Sequence, residues 1–204
     1  MSAATWVPLE EGTPFGPAIL PYGCFSPPGG PPRVGVRIGE HVLDLAGLAR
    51  DRLIGGFPAA EAAFAAPGLD VFMASGPDAW RATRERLAVL LADDDARPAV
   101  QPHLHALEGV ALRLPFMVAD YTDFYASLHH ATNLGRLLRP GDEPLAPNWR
   151  HLPVGYHGRA GTVVVSGTDV VRPSGQYLPD GAGAPAFGPT RRLDVELELG
   201  FVIG

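Results

Sequence analysis

Close to the C-terminus, Asp194, Glu196 and Glu198 alternate with Val195, Leu197 and Leu199. Side chains along an extended strand point to opposite faces in turn, so three carboxylates would share one face and three apolar groups the other. The apolar side predicts a core-facing strand. Ionised carboxylates on one face repel each other, and an unpaired one is costly to bury, so the acidic face calls for bulk water or a cation. Hard oxygen donors suit Mg²⁺ or Ca²⁺. A half-exposed edge strand with a solvated acidic face carries the same pattern, so ligands and a catalytic group elsewhere must decide.

The segment Asp120-Tyr-Thr-Asp-Phe-Tyr125 supplies a candidate, followed by Ala126 to Arg139 with His129 and His130 adjacent. Asp123 predicts a capping residue at a strand-to-helix junction. With a helix starting near Phe124, His130 lies two turns from Asp123 on the same face, while His129 points about 100° away. A neutral histidine near a metal-bound water acts as general base, although a helix histidine satisfied by a neighbour has the same spacing. Residues Pro147 to Arg159 form a loop dense in glycine, proline, aromatic and cationic groups. Tyrosine and arginine in such loops present donors to anionic substrates; a rigid connection is the plainer alternative.

These groups need a scaffold. Prolines at 8, 14, 17, 21, 27, 28, 31 and 32 exclude long helices from the first stretch. Val34 to Ile38 alternates, Gly39-Glu40 makes a turn and His41 to Leu45 resumes, which predicts a β-hairpin of a small barrel or sheet. Ala46 to Ala66 predicts short helical pieces. Asp78 to Leu91 predicts a helix with Trp80, Thr83, Leu87, Leu90 and Leu91 at helical spacing, Trp80 being a core residue. Asp93 to Asp95 is a solvated helix terminus. Residues 98–107, with His103 and His105, read as a linker. Leu112 to Phe116 opens a second region, so a domain boundary is placed near Leu107 to Phe116. There Met117 to Tyr125, Thr162 to Ser166 and Asp169 to Pro173 predict strands, and Ser174 to Pro189 a loop.

Composition closes several routes. At 204 residues, 46% hydrophobic and 19% charged, the chain suits a soluble globular protein of one large or two small domains. Its net charge of −6 argues against nucleic acid and anionic membranes as partners. All 16 basic residues are arginine, so this chain offers no Schiff-base, P-loop or general-base lysine. Cys24 is the sole cysteine, which excludes an internal disulfide or a cysteine zinc cluster. No apolar run approaches the ~20 residues that span a bilayer, and Met1 to Glu11 lacks the pattern of a secretory leader. A cytoplasmic location is expected.

The chain closely resembles the N-terminal half of the fumarylacetoacetate hydrolase (fumarylacetoacetase) family. The match rests on Asp120-Tyr-Thr-Asp-Phe-Tyr125, His130-Ala-Thr-Asn133, Pro147-Asn-Trp149, His151-Leu-Pro-Val-Gly-Tyr-His-Gly-Arg159, Val163-Val-Val-Ser-Gly167 and Asp194-Val-Glu-Leu-Glu198. Leu20-Pro-Tyr-Gly23, Arg33-Val-Gly-Val36 and Leu43-Asp-Leu45 extend it into the first domain. The resemblance implies a mainly β fold with some α: a small SH3-like β-barrel over residues 1–112, then the start of a mixed β-sandwich roll over 113–204 that holds the site. It implies Asp123, Glu196 and Glu198 as ligands of Mg²⁺ or Ca²⁺, His130 as the base that activates water, and Tyr125, Arg139 and Tyr156 as substrate contacts. Asp194 has no ligand role in this family.

The implied reaction is metal-dependent hydrolysis of the carbon–carbon bond of 4-fumarylacetoacetate to fumarate and acetoacetate, which ends tyrosine and phenylalanine degradation. The implied assembly is a homodimer. The family continues for about as many residues again, with a fourth acidic ligand, Arg, Gln and Lys groups for the oxyanion, and a Glu that orients the base. The chain is therefore expected to be a fragment. A hydrolase of acylpyruvate-type diketo acids, or a non-catalytic metal-stabilised binding module, are the alternatives.

Overall fold

The computed structural model describes residues 4–203. The chain divides into two compact units, one made of residues up to Pro115 together with those from Val165 onward, the other of Phe116–Val164. Helices and antiparallel strands are mixed, and among the described residues no helix is long and apolar enough to cross a membrane.

The first unit is built on β1 (Tyr22–Ser26), β2 (Arg33–Ile38) and β3 (His41–Asp44). The expected hairpin forms, with Val36 opposite Leu43 and Ile38 opposite His41, and Gly39 takes the positive φ of 52° that the turn requires. Val34, Val36 and Ile38, two residues apart, are fully buried on one face. Gly35 faces the other way, where a Cβ would stand 2.6 Å from Val42 Cγ1 and 2.8 Å from the Phe25 ring. Both faces of the hairpin are therefore covered.

Asp44 ends β3 and starts α1 (Leu45–Arg50): one carboxylate oxygen accepts the Gly47 N–H at 3.0 Å, the other the Arg33 guanidinium at 3.0 Å. Three further helices follow: α2 (Ala60–Ala65), α3 (Asp70–Met73) and α4 (Pro77–Ala92). The stripe read from the sequence is real in α4, which buries Thr83, Leu87, Leu90 and Leu91. Trp80 lies half-buried against the core and donates its indole N–H to the Phe72 carbonyl at 2.9 Å.

Residues 98–107 are not a linker. They contain the end of α5 (Arg97–Val100), a 3₁₀ turn and β4 (Leu104–Ala106), which pairs with β3, and His103 is buried with Nε2 2.9 Å from Asp51. Leu112 also differs from expectation, since β5 (Ala111–Arg113) pairs with β1 and completes a five-stranded sheet in the order β4-β3-β2-β1-β5. The Pro115 carbonyl then accepts the Leu69 N–H at 2.6 Å and the Cys24 thiol at 3.4 Å. Edge pairing, a long-range event, claims segments whose local pattern is too short to read.

The second unit contains β6 (Thr122–Phe124), α6 (Leu128–Leu138) and β7 (Gly155–His157), with β6 and β7 antiparallel. Of the strand expected over Met117 to Tyr125, only β6 forms. Thr162 to Ser166 and Asp169 to Pro173 are not strands. The regular structure from Val165 onward is instead a hairpin of β8 (Ser174–Tyr177) and β9 (Ala186–Pro189), inside the expected loop. Residues 194–199 form no strand, and Val195, Leu197 and Leu199 are 91%, 104% and 87% exposed, so the expected core face is not one here. A strand needs a neighbour for its N–H and C=O groups, and among the described residues no ladder forms along this segment.

Candidate functional site

The site residues of the second unit are organised by the β6–β7 ribbon. Its register sets Asp123 directly opposite Tyr156, and the Tyr156 hydroxyl donates to Asp123 Oδ2 at 2.6 Å. Charge-assisted bonds of this length are strong and orient the carboxylate. Gly155 permits the pairing, because a Cβ there would lie 2.9 Å from the Phe124 ring and 3.0 Å from the Asp123 carbonyl. Beside this pair, His157 Nε2 bonds Asp120 Oδ1. That bond, and then the Tyr121 N–H donated to the same carboxylate, hold the Asp120 carboxyl below its ordinary pKa.

Asp123 lies within β6 and caps nothing. Helix α6 begins at Leu128, and Ser127 is its cap, its hydroxyl accepting the His130 N–H at 3.4 Å. The two-turn relation between Asp123 and His130 therefore fails, since only His130 is helical. The sheet won because Asp123 and Ser127 are both good capping types, and cross-strand pairing with Tyr156 engages Asp123 first.

His130 is instead placed against Tyr125, their ring centroids 5.8 Å apart at 79°. Tyr125 is held from several directions: its hydroxyl donates to the Ala131 carbonyl at 3.0 Å, its N–H to Val154 at 2.8 Å, and its carbonyl accepts the Trp149 indole N–H at 2.8 Å. Arg139, at the end of α6, donates Nη2 to the Pro144 carbonyl at 2.8 Å. Tyr125 and Arg139 border an open pocket of about 400 Å³, walled by Asp142, Glu143, Trp149 and Val154. Arg159 stacks its guanidinium 5.6 Å from the Tyr156 ring centre.

So the second unit brings Asp123 to Tyr156, Tyr125 to His130, and Tyr125 with Arg139 to one pocket. Glu196 and Glu198 belong to the unit that includes residues from Val165 onward, and both are exposed. Two features escaped the sequence reading. One is the role of Trp149, whose indole N–H in a proline-rich loop calls for a buried acceptor and finds it in the Tyr125 carbonyl. The Asp120–His157 bond follows from the same register that pairs their neighbours, and nothing local announces it.

Residues 18–115 match the family described as Fumarylacetoacetase N-terminal. The fumarylacetoacetase of Bos taurus is 43% identical over 209 residues, covering 98% of this chain and 49% of that protein. The Homo sapiens fumarylacetoacetase is 42% identical over 207 residues, with the same 98% and 49% coverage. The chain matches the N-terminal half of the fumarylacetoacetases. The likeness extends to plants, with the Arabidopsis thaliana fumarylacetoacetase 40% identical over 194 residues, 91% of this chain and 46% of that protein. The chain spans about half the length of the curated relatives it matches. Similarity to fumarylacetoacetases over 98% of the chain takes in the second unit, with Asp123, Tyr125, His130, Arg139 and Tyr156, as well as the sheet that the family match covers.

Proposed function

We propose that this chain forms part of a fumarylacetoacetase, a hydrolase that cleaves the carbon–carbon bond of 4-fumarylacetoacetate to fumarate and acetoacetate in tyrosine breakdown. The observation that carries the reading is similarity to curated fumarylacetoacetases along nearly the whole chain.

Asp123, Glu196 and Glu198 are the proposed metal ligands. Their donors are hard carboxylate oxygens, the type Mg²⁺ and Ca²⁺ take, and the Tyr156 hydroxyl orients the Asp123 carboxylate, which supports the reading by donor chemistry. When bound, the ion would supply Lewis-acid polarisation of the diketo oxygens. His130 takes the proton of the attacking water, and its edge-on contact with Tyr125 restrains the imidazole. Arg139 and Tyr125 border the pocket and bind the acidic ends of the substrate. Tyr156 contacts substrate from the ribbon. The segment from Asp142 to Trp149 forms one wall of that open pocket and gives the substrate a surface to lie against.

The finer architecture belongs to the same proposal: an SH3-like barrel over residues 1–112, the first part of a β-roll over 113–204, a homodimer, and a cytoplasmic location. The test is loss of fumarylacetoacetate absorbance with the longest native product of this gene, beside the 204-residue chain, with and without a chelator. Chelator-sensitive turnover is expected in the longer protein, and His130→Ala is expected to abolish it while divalent-metal binding persists. Near-normal turnover by His130→Ala, or faster cleavage of an acylpyruvate than of fumarylacetoacetate, would overturn the assignment.

A further inference from the structure

We infer that Gly135 is a positioning residue whose missing side chain lets the Pro144 carbonyl seat on α6, and so sets the pocket bounded by Tyr125, Arg139 and Trp149. The inference rests on the proposal that this pocket receives the diketo acid. A glycine inside a helix is destabilising relative to alanine, so its presence in α6 needs a reason. Gly135 is buried, and a Cβ built on it would stand 2.0 Å from the Pro144 oxygen, 2.7 Å from its carbonyl carbon and 2.9 Å from its Cα. All three are backbone atoms. No rotamer change relieves such a contact; the loop itself must withdraw.

That loop is the wall of the pocket. Asp142 through Trp149 line it without interruption, and three bonds fasten the segment: Asp142 N–H to the Arg139 carbonyl at 3.2 Å, Arg139 Nη2 to the Pro144 carbonyl at 2.8 Å, and the Trp149 indole to the Tyr125 carbonyl at 2.8 Å. Gly135 lies within α6 and Arg139 caps its C-terminal end, its N–H donating to the Gly135 carbonyl at 2.9 Å, and both residues meet the Pro144 carbonyl. Gly135 provides the room and Arg139 the bond. A retreat of Pro144 therefore shifts the wall and loosens the Arg139 contact together. A displacement of about 1 Å in groups that position substrate costs on the order of 100-fold in rate.

The experiment is Gly135→Ala in the longest native product of the gene. We expect kcat/KM on fumarylacetoacetate to fall about 100-fold, with KM rising more than kcat falls, while far-ultraviolet dichroism keeps its helical signal. A second readout is independent of turnover: with every other tryptophan of that product replaced by phenylalanine, Trp6 and Trp80 among them, Gly135→Ala should shift Trp149 emission as its bond to Tyr125 is disturbed. A turning-over enzyme whose KM and Trp149 emission are unchanged by the substitution overturns the inference. A shifted emission in a protein that cleaves no diketo acid sinks the substrate reading and upholds the loop contact. Should Gly135→Ala not fold, hydrogen exchange of the wild-type protein decides. The Asp142 and Trp149 amides should exchange as slowly as that of Arg139, and free exchange of the loop amides would refute its attachment to the helix.

Discussion

Cys24 shows how far a residue's chemistry is set by its surroundings. It is buried on β1, its thiol donating to the Pro115 carbonyl, and burial pushes its pKa up to about 11. The Asp70 carboxylate contributes to that rise, and a backbone bond at Leu69 acts in the opposite sense. The thiolate is the reactive form, so a rise from 9.0 to about 11 lowers its population about 100-fold near neutrality. Alkylation by iodoacetamide at pH 8 is expected to be at least that much slower in the folded chain than in urea. Equal rates in both states would show the thiol to be neither buried nor shifted. The same dependence on context holds for Asp123 and Ser127. Both are capping residue types in the sequence, and only the Tyr156 partner and the His130 N–H assign them to strand and cap respectively. Residue types at the candidate site were legible; their partners were not.

At the scale of elements, legibility followed the range of the signal. The β2–β3 hairpin and α4 were readable because alternation, a Gly-Glu turn and a stripe at three- and four-residue spacing are all local. Strand β4 and strand β5, three residues each, exist because β3 and β1 offer free edges, and no window of sequence contains that fact. Within the hairpin, Gly35 is the point where packing leaves no tolerance. Gly35→Ala forces a methyl against Val42 and Phe25, and such overpacking costs about 1–3 kcal/mol. Urea denaturation should show that loss as a lower midpoint with an unchanged slope. An unaltered midpoint would mean that β1, β2 and β3 are looser than their register indicates.

For the whole molecule, the main hydrophobic cluster decides what can stand alone. Its buried members run from Val7 to Val100, with Leu104 packed against them, and the sheet closes at Arg113. A chain ending at Pro115 is therefore expected to keep a cooperative thermal transition by circular dichroism, because it retains every buried residue of that cluster and all five strands. A broad, non-cooperative melt of that shortened chain would place essential packing beyond Pro115. By itself the sequence determined the hairpin, the amphipathic helix, the lack of lysine and of an internal disulfide within these 204 residues, and the carboxylate and histidine types of a candidate site. Spacing and composition carry those within a few turns of chain. Only the tertiary structure decided that Asp123 meets Tyr156, that Tyr125 meets His130, and that Gly135 makes room for Pro144. Each of these depends on backbone brought together from separate segments, where pairing and steric fit, not local periodicity, select the contact.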